Sequence, residues 1–385
     1  MYLIDYYKTL YYFYKYDTID CSYFDQNEYK DDILIHLYNI YLTIKLWDLP
    51  HYRNKTYGID ILYNFYNLYI PYTGISLYYL VYTKYIALFS ILVVYPFISL
   101  CCYFIPHLQP TKILLYPYNW FWIWRINCNL VHLTHTISKS NNYNYENKKI
   151  FLEKCNQLNI PVTPCIYDDI ILKHINIEGG MGIHVYNNCF NNGEWIIQKK
   201  LTNSLFLQSV LPKNSPLSTL RIITYKEKNF YKTSKPKILS SCLRAGLSHQ
   251  PTDHTSVLFN INTETGKIEL GTMNEEWYGK YTLFNNSEFI SKHSVFNQTM
   301  RHKLRYHPEK GTWMNNIQIP KFNKITKMCI DAHSKLLKDI PIVGWDVGLT
   351  KEEDNIILEI NISCNLFCAK YNKQKYYAFL KSYYI

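Results

Sequence analysis

Residues 341–363 read PIVGWDVGLTKEEDNIILEINIS. Residues 342–349 and 356–362 carry the apolar alternation of strands and 350–355 are polar, so the segment is predicted to be a β-hairpin. A symmetric turn, centred between residues 352 and 353, sets Asp346 opposite Glu359. The period of two adds Asn361 to that face and sends Trp345, Val347, Leu358 and Ile360 toward a core. Two carboxylates facing each other across a ladder repel. A hard divalent cation such as Mg2+ converts that repulsion into binding, with the Asn361 amide oxygen as a neutral ligand. A solvated hairpin with its charges outward is the plain alternative.

Working outward, residues 170–185, IILKHINIEGGMGIHV, are predicted as strand, loop, strand. Gly179, Gly180 and Gly182 permit a tight turn whose backbone N–H groups can close on phosphate oxygens, and Lys173 can reach the same anion. No Walker-type GK[ST] follows, and an ordinary turn would read the same way. The run WIIQKKL, 195–201, suits a short strand leading into a hinge. STLRIITY, 218–225, places Arg221 inside an alternating strand, and SSCLRAGLSHQPTDHTS, 240–256, carries Arg244. An arginine among apolar neighbours needs an anionic partner, either a structural carboxylate or a phosphate.

The rest of the chain differs in composition. Of 39 tyrosines in 385 residues, 27 fall in the first 150, whereas eleven of the 13 glycines lie after them. Net charge is +11, of which +9 belongs to residues 151–385, so an anionic ligand is expected there. At 48% hydrophobic and 18% charged the chain is neither disordered nor collagen-like. A genome rich in A and T would by itself enrich Tyr, Asn, Ile and Lys. The 11 cysteines form no CxxC pair, which argues against a zinc knuckle or a disulfide framework and for a reducing compartment around the C-terminal part. Dispersed lysines without an RNP-type or zinc pattern argue against nucleic acid.

Residues 85–105, YIALFSILVVYPFISLCCYFI, contain no charge and are long enough to span a bilayer, with Pro96 tolerated there. Trp120, Trp122 and Trp124 follow with the composition of an interfacial belt. A buried core helix is the alternative. The expected organisation is a tyrosine-rich, mostly helical, membrane-associated region over 1–120, a connector over 121–146, and a catalytic domain over 147–385.

The ordered blocks together resemble the ATP-grasp superfamily, most closely its sugar-transfer-associated, alpha-L-glutamate-ligase-related branch. NKKIFLEKCNQLNIPVTP (147–164) is similar to the opening helix and strand, with Lys148, or its neighbour Lys149, at the basic position. HPEKGTWMNNIQIP (307–320) resembles a His-Pro to Ile-Pro segment that precedes the metal-binding strands. The resemblance implies an α+β fold of two subdomains clasping ATP. It implies Lys148 and Lys173 at the nucleotide, with Lys173 on a phosphate and Gly179, Gly180 and Gly182 over the phosphates. Gln198, Lys199, Lys200 and Leu201 would surround adenine. Arg221 and Arg244 would be catalytic, and Asp346, Glu359 and Asn361 would bind magnesium. The family's hinge acid is replaced by Lys199, and its Asp-Asn pair reads Asp253-His254. The implied activity is an ATP- and Mg2+-dependent carboxylate–amine ligase, on carboxylate and amine substrates the sequence does not name, with the ATP-using part facing the cytosol. A membrane-associated, catalytically degenerate ATP-binding protein is the alternative. Asp346→Asn and Glu359→Gln are both expected to abolish turnover while leaving the fold intact.

Overall fold

The computed structural model describes residues 3–17, 31–50, 56–59, 120–176, 181–228, 234–253, 256–273, 303–351, 355–362 and 371–384, with isolated positions at 85, 89, 92–93, 364 and 366. Eight strands run in chain order. They are β1 Ile170–Lys173, β2 Ile183–Tyr186, β3 Thr219–Tyr225, β4 Lys237–Gly246, β5 Ser256–Ile261, β6 Ile268–Met273, β7 Ile342–Leu349 and β8 Asn355–Asn361. The last six form one antiparallel sheet in the order β6-β5-β4-β3-β7-β8, and β1 and β2 form a separate hairpin.

Strand alternation divides the central strands into two faces. On β3 and β7 the facing pairs Leu220–Val347, Ile222–Trp345 and Thr224–Val343 are buried and belong to the core. Against this face lies a helix, Phe322–Leu336, whose buried positions Phe322, Ile325, Cys329, Ala332, His333 and Leu336 recur at the spacing of one helical face. A polar chain is sealed within: His333 Nδ1 lies 2.7 Å from Thr224 Oγ1, which also accepts from Trp345 Nε1 at 2.8 Å, and His333 Nε2 lies 2.9 Å from Ile340 O. Nε2 must then donate, Nδ1 accept and Thr224 donate to it, so every member is satisfied without a charge. Burial accordingly lowers the His333 pKa to about 4.

The hairpin predicted over 341–363 is present, with Asp346 opposite Glu359. The symmetric turn does not persist beyond that pair. Val347 faces Ile357, leaving Leu358 as a one-residue bulge. Ile357 therefore enters the core, while Leu358, expected there, is half-buried and lies over Gly348 on the opposite face.

The described part of the N-terminal region is helical. Helices α1 Leu3–Tyr16, α2 Asp31–Lys45 and α3 Trp120–Ser138 pack in succession, and the C-terminal helix Lys373–Tyr384 packs on α2. Residues 121–146 are thus α3 followed by a 3-10 turn, Asn141–Glu146, and α3 is tied to the sheet-bearing part. Asn127 donates to Cys364 O at 2.9 Å and accepts from Tyr376 at 2.7 Å, and Glu146 accepts from the Ile362 N–H at 2.9 Å. Trp124 is not part of an exposed belt. It is buried, with the Arg125 guanidinium 4.4 Å from its ring centre, because the helix turns this position toward the core. The uncharged stretch 85–105 lies almost wholly outside the described residues. Among those described, no helix is long and apolar enough to cross a membrane.

Candidate functional site

The second face of the sheet holds the charged residues. Arg221 on β3 faces Asp346 on β7, and Thr219 on β3 faces Arg244 on β4. With Glu359 opposite Asp346, four adjacent strands bring residues up to 140 positions apart onto one face, the Thr219–Arg244 pair lying two residues along from Arg221 and Asp346. Arg221 grips Asp346 through two nitrogens, Nε on Oδ1 and, at 3.0 Å, one terminal nitrogen on Oδ2. Arg244 donates to the same Oδ2 at 3.1 Å. The three side chains are almost wholly buried, at 5%, 9% and 1% exposure for Arg221, Arg244 and Asp346.

Arg244 is oriented from its other side. Its Nε donates to Thr219 Oγ1 at 2.8 Å and lies 3.1 Å from Asp253, while Thr219 donates to Asp253 at 2.5 Å. Asp253 therefore acts as an arginine-positioning carboxylate. Its separation of 34 residues from Thr219 left no sequence signal beyond its place as the retained Asp of the family's Asp-Asn pair. Burial alone would raise the Asp346 pKa, but the two guanidiniums overcome it and hold the carboxyl below its ordinary range. Burial likewise opposes charge on Arg244, and Asp346 and Asp253 outweigh it and raise its pKa.

Glu359 and Asn361 sit at the more open edge. The Glu359 side chain is 38% exposed and pairs with Lys148 at 3.4 Å. Lys148 opens a helix, Lys148–Gln157, capped by the Asn147 side chain accepting from Lys149 and Ile150 N–H groups. That geometry separates the two candidate lysines: Lys148 reaches Glu359, whereas Lys149 donates to Cys189 O at 2.9 Å.

Beside this edge opens a cavity of about 950 Å3. Its lining includes Lys148, Leu358 and Glu359 together with all four predicted hinge residues, Gln198, Lys199, Lys200 and Leu201. The hinge is extended backbone. Ile166 N–H donates to Ile197 O and Lys199 N–H to Pro164 O, and further along Ser204 N–H donates to Leu349 O and Lys351 N–H to Thr202 O. Asn203 pins the turn beyond it, accepting from Ser218 N–H and donating to Pro216 O, both at 2.8 Å. Lys173 lies on β1, the hairpin strand, and is not part of the cavity lining. Gly182 adopts φ +71° at the loop's end, a conformation glycine takes without strain. Gly179 and Gly180 lie outside the described residues.

The donor set can be tested against Mg2+. Glu359 and Asn361 share a face two residues apart, and the buried Asn361 Nδ2 has no hydrogen-bond partner among the described residues, so turning its oxygen toward a cation sacrifices no bond. Asp346 already accepts three guanidinium N–H bonds of the roughly four its carboxylate can take. The set fits a hard cation with Glu359 and Asn361 as the open ligands and Asp346 as the charge behind them.

These features set charged side chains on one face of the sheet, beside a cavity lined by Lys148, Glu359 and the extended residues 198–201. A family model described as sugar-transfer associated ATP-grasp matches residues 163–374, more than half the chain, and the chain belongs to that family. No curated protein matches it.

Proposed function

We propose that the chain is an ATP- and Mg2+-dependent carboxylate–amine ligase acting through an acyl phosphate. One observation carries the reading: the Asp346–Glu359 pair shares one face of the sheet with Arg221 and Arg244, and Glu359 also lines the cavity beside residues 198–201. ATP is the expected nucleotide, its adenine against Gln198, Lys199, Lys200 and Leu201. Bound Mg2+ would neutralise phosphate charge, held by Glu359 and Asn361 with Asp346 beside them. Phosphoryl transfer asks a protein mainly for positioning and charge stabilisation. Arg221 and Arg244, fixed by Asp346, Thr219 and Asp253, are pre-organised donors for the transferred phosphoryl group. Lys148 places a further cation next to Glu359. Lys173 and the loop carrying Gly179, Gly180 and Gly182 are assigned to the phosphates through the family pattern.

In the reaction a substrate carboxylate oxygen attacks the γ-phosphorus and ADP leaves. An amine then adds to the acyl carbon and expels phosphate. ADP release by full-length protein, offered pooled amino acids and amino sugars, tests this. Stimulated release abolished in Glu359→Gln supports the ligase; Mg2+-dependent ATP binding with no release supports the non-catalytic ATP-binding alternative. The uncharged stretch 85–105 favours membrane association of the N-terminal region, which co-flotation with lipid vesicles tests.

A further inference from the structure

Besides the hinge, the cavity has a second wall made from three loops, contributing residues 212–217, 250–251 and Lys310. The loops are fastened to one another. His249 N–H donates to Asn214 O at 3.1 Å, the Glu309 carboxylate accepts from Ser248 N–H and Oγ at 2.7 and 2.8 Å, and Lys310 Nζ donates to Gln208 O at 3.0 Å.

The lining contains five lysines, Lys148, Lys199, Lys200, Lys213 and Lys310, and one carboxylate, Glu359. Glu359 is engaged by Lys148 at the sheet edge. Lys199 and Lys200 belong to the hinge. Lys213 and Lys310 therefore stand on the second wall with the side-chain amides of Asn214 and Gln250 and no lining carboxylate beside them. Lys213 is exposed and has no ion pair or hydrogen bond among the described residues. A concave wall of one charge sign concentrates ions of the other. The cavity stands at the upper end of the about 300–1,000 Å3 typical of small-molecule pockets, so it has room for a ligand beside a nucleotide.

We propose that this second wall is the subsite for an anionic co-substrate, a small molecule bearing a carboxylate or phosphate, with Lys213 and Lys310 as its specificity-determining residues. The proposal rests on the nucleotide lying at the hinge, and its test separates the two. Full-length wild type, Lys213→Ala and Lys310→Ala are titrated calorimetrically with glucuronate, glucose 1-phosphate and neutral glucose, each with and without saturating MgADP. MgADP affinity is measured in every variant. At least one anion should bind roughly tenfold or more tighter than glucose, and both substitutions should remove most of that preference while changing the MgADP Kd by less than about twofold. The tighter of the two anions distinguishes a carboxylate from a phosphate ligand. The proposal is overturned if neither anion exceeds glucose, if the variants bind the anion as wild type does, or if they weaken MgADP instead. Failure of wild type to bind MgADP strikes the nucleotide assignment alone, because the titrations without nucleotide are read independently.

Discussion

Replacing Asp346 by Asn keeps the volume of the side chain and removes its charge. Two guanidiniums at 5% and 9% exposure then face a neutral amide in place of a carboxylate that accepted three of their N–H bonds. Removing one partner from a buried ion pair typically costs about 3–5 kcal/mol, chiefly through the uncompensated charge left behind. Asp253 still balances Arg244, which puts Asp346→Asn near the lower end, about 3 kcal/mol. The same reasoning revises the sequence-based expectation that both acidic substitutions spare the fold. Glu359 is partly exposed and its pair with Lys148 is open to water, so Glu359→Gln should cost at most about 1 kcal/mol. Urea unfolding of full-length protein, followed by tryptophan fluorescence, measures the difference. Adding Arg221→Met to Asp346→Asn should recover part of the loss, since it removes the guanidinium that Asp346 held through two nitrogens. An Asp346→Asn variant within about 0.5 kcal/mol of wild type would refute the buried three-residue cluster as a structural unit.

Two further perturbations follow from the packing. His333 is held neutral, its pKa lowered from 6.5 to about 4 by burial, so below pH 6.5 the unfolded chain takes up a proton that the folded chain refuses. Stability should fall from about pH 6.5 toward pH 4, by on the order of 3 kcal/mol from this residue. The slope of unfolding midpoint against pH should be shallower in His333→Gln; an unchanged slope would count against it. Gly344 on β7 lies where a Cβ would come within 2.9 Å of the Cys364 side chain and 3.2 Å of Arg221. Gly344→Ala should therefore destabilise by about 1–3 kcal/mol in thermal unfolding, and a neutral result would show that Arg221 yields freely.

The hairpin was legible in the sequence, but Asp346 meets Glu359 by way of a bulge: the turn is centred on residue 352, with Leu349 opposite Asn355, and one extra residue restores the expected pair. The bulge at Leu358 was not legible, since a single inserted residue leaves the apolar pattern on either side intact. Arg221 could be recognised as needing an anion, yet its partner lies on a strand 125 residues away, and only the β3–β7 pairing identifies it. The choice between Lys148 and Lys149 depends on the direction each takes from the first turn of a helix, which two adjacent lysines do not disclose. The run 195–201 was visible as an apolar stretch ending in polar residues. The second cavity wall was not, because its loops owe their positions to tertiary hydrogen bonds such as those of Glu309 to Ser248. The burial of Arg125, Asn127 and Asn129 on α3 was not legible either, since polar residues look solvent-facing until their partners are known.

The central claim is that the cavity beside Glu359 binds ATP together with Mg2+. Calorimetric titration of full-length protein with ATP, with Mg2+ and then with excess chelator, tests it most directly, in wild type and in Glu359→Gln. Wild type should bind one ATP, roughly tenfold or more tighter with Mg2+ than without, and Glu359→Gln should lose that difference. No binding at millimolar ATP, or binding indifferent to both Mg2+ and the substitution, would contradict the claim.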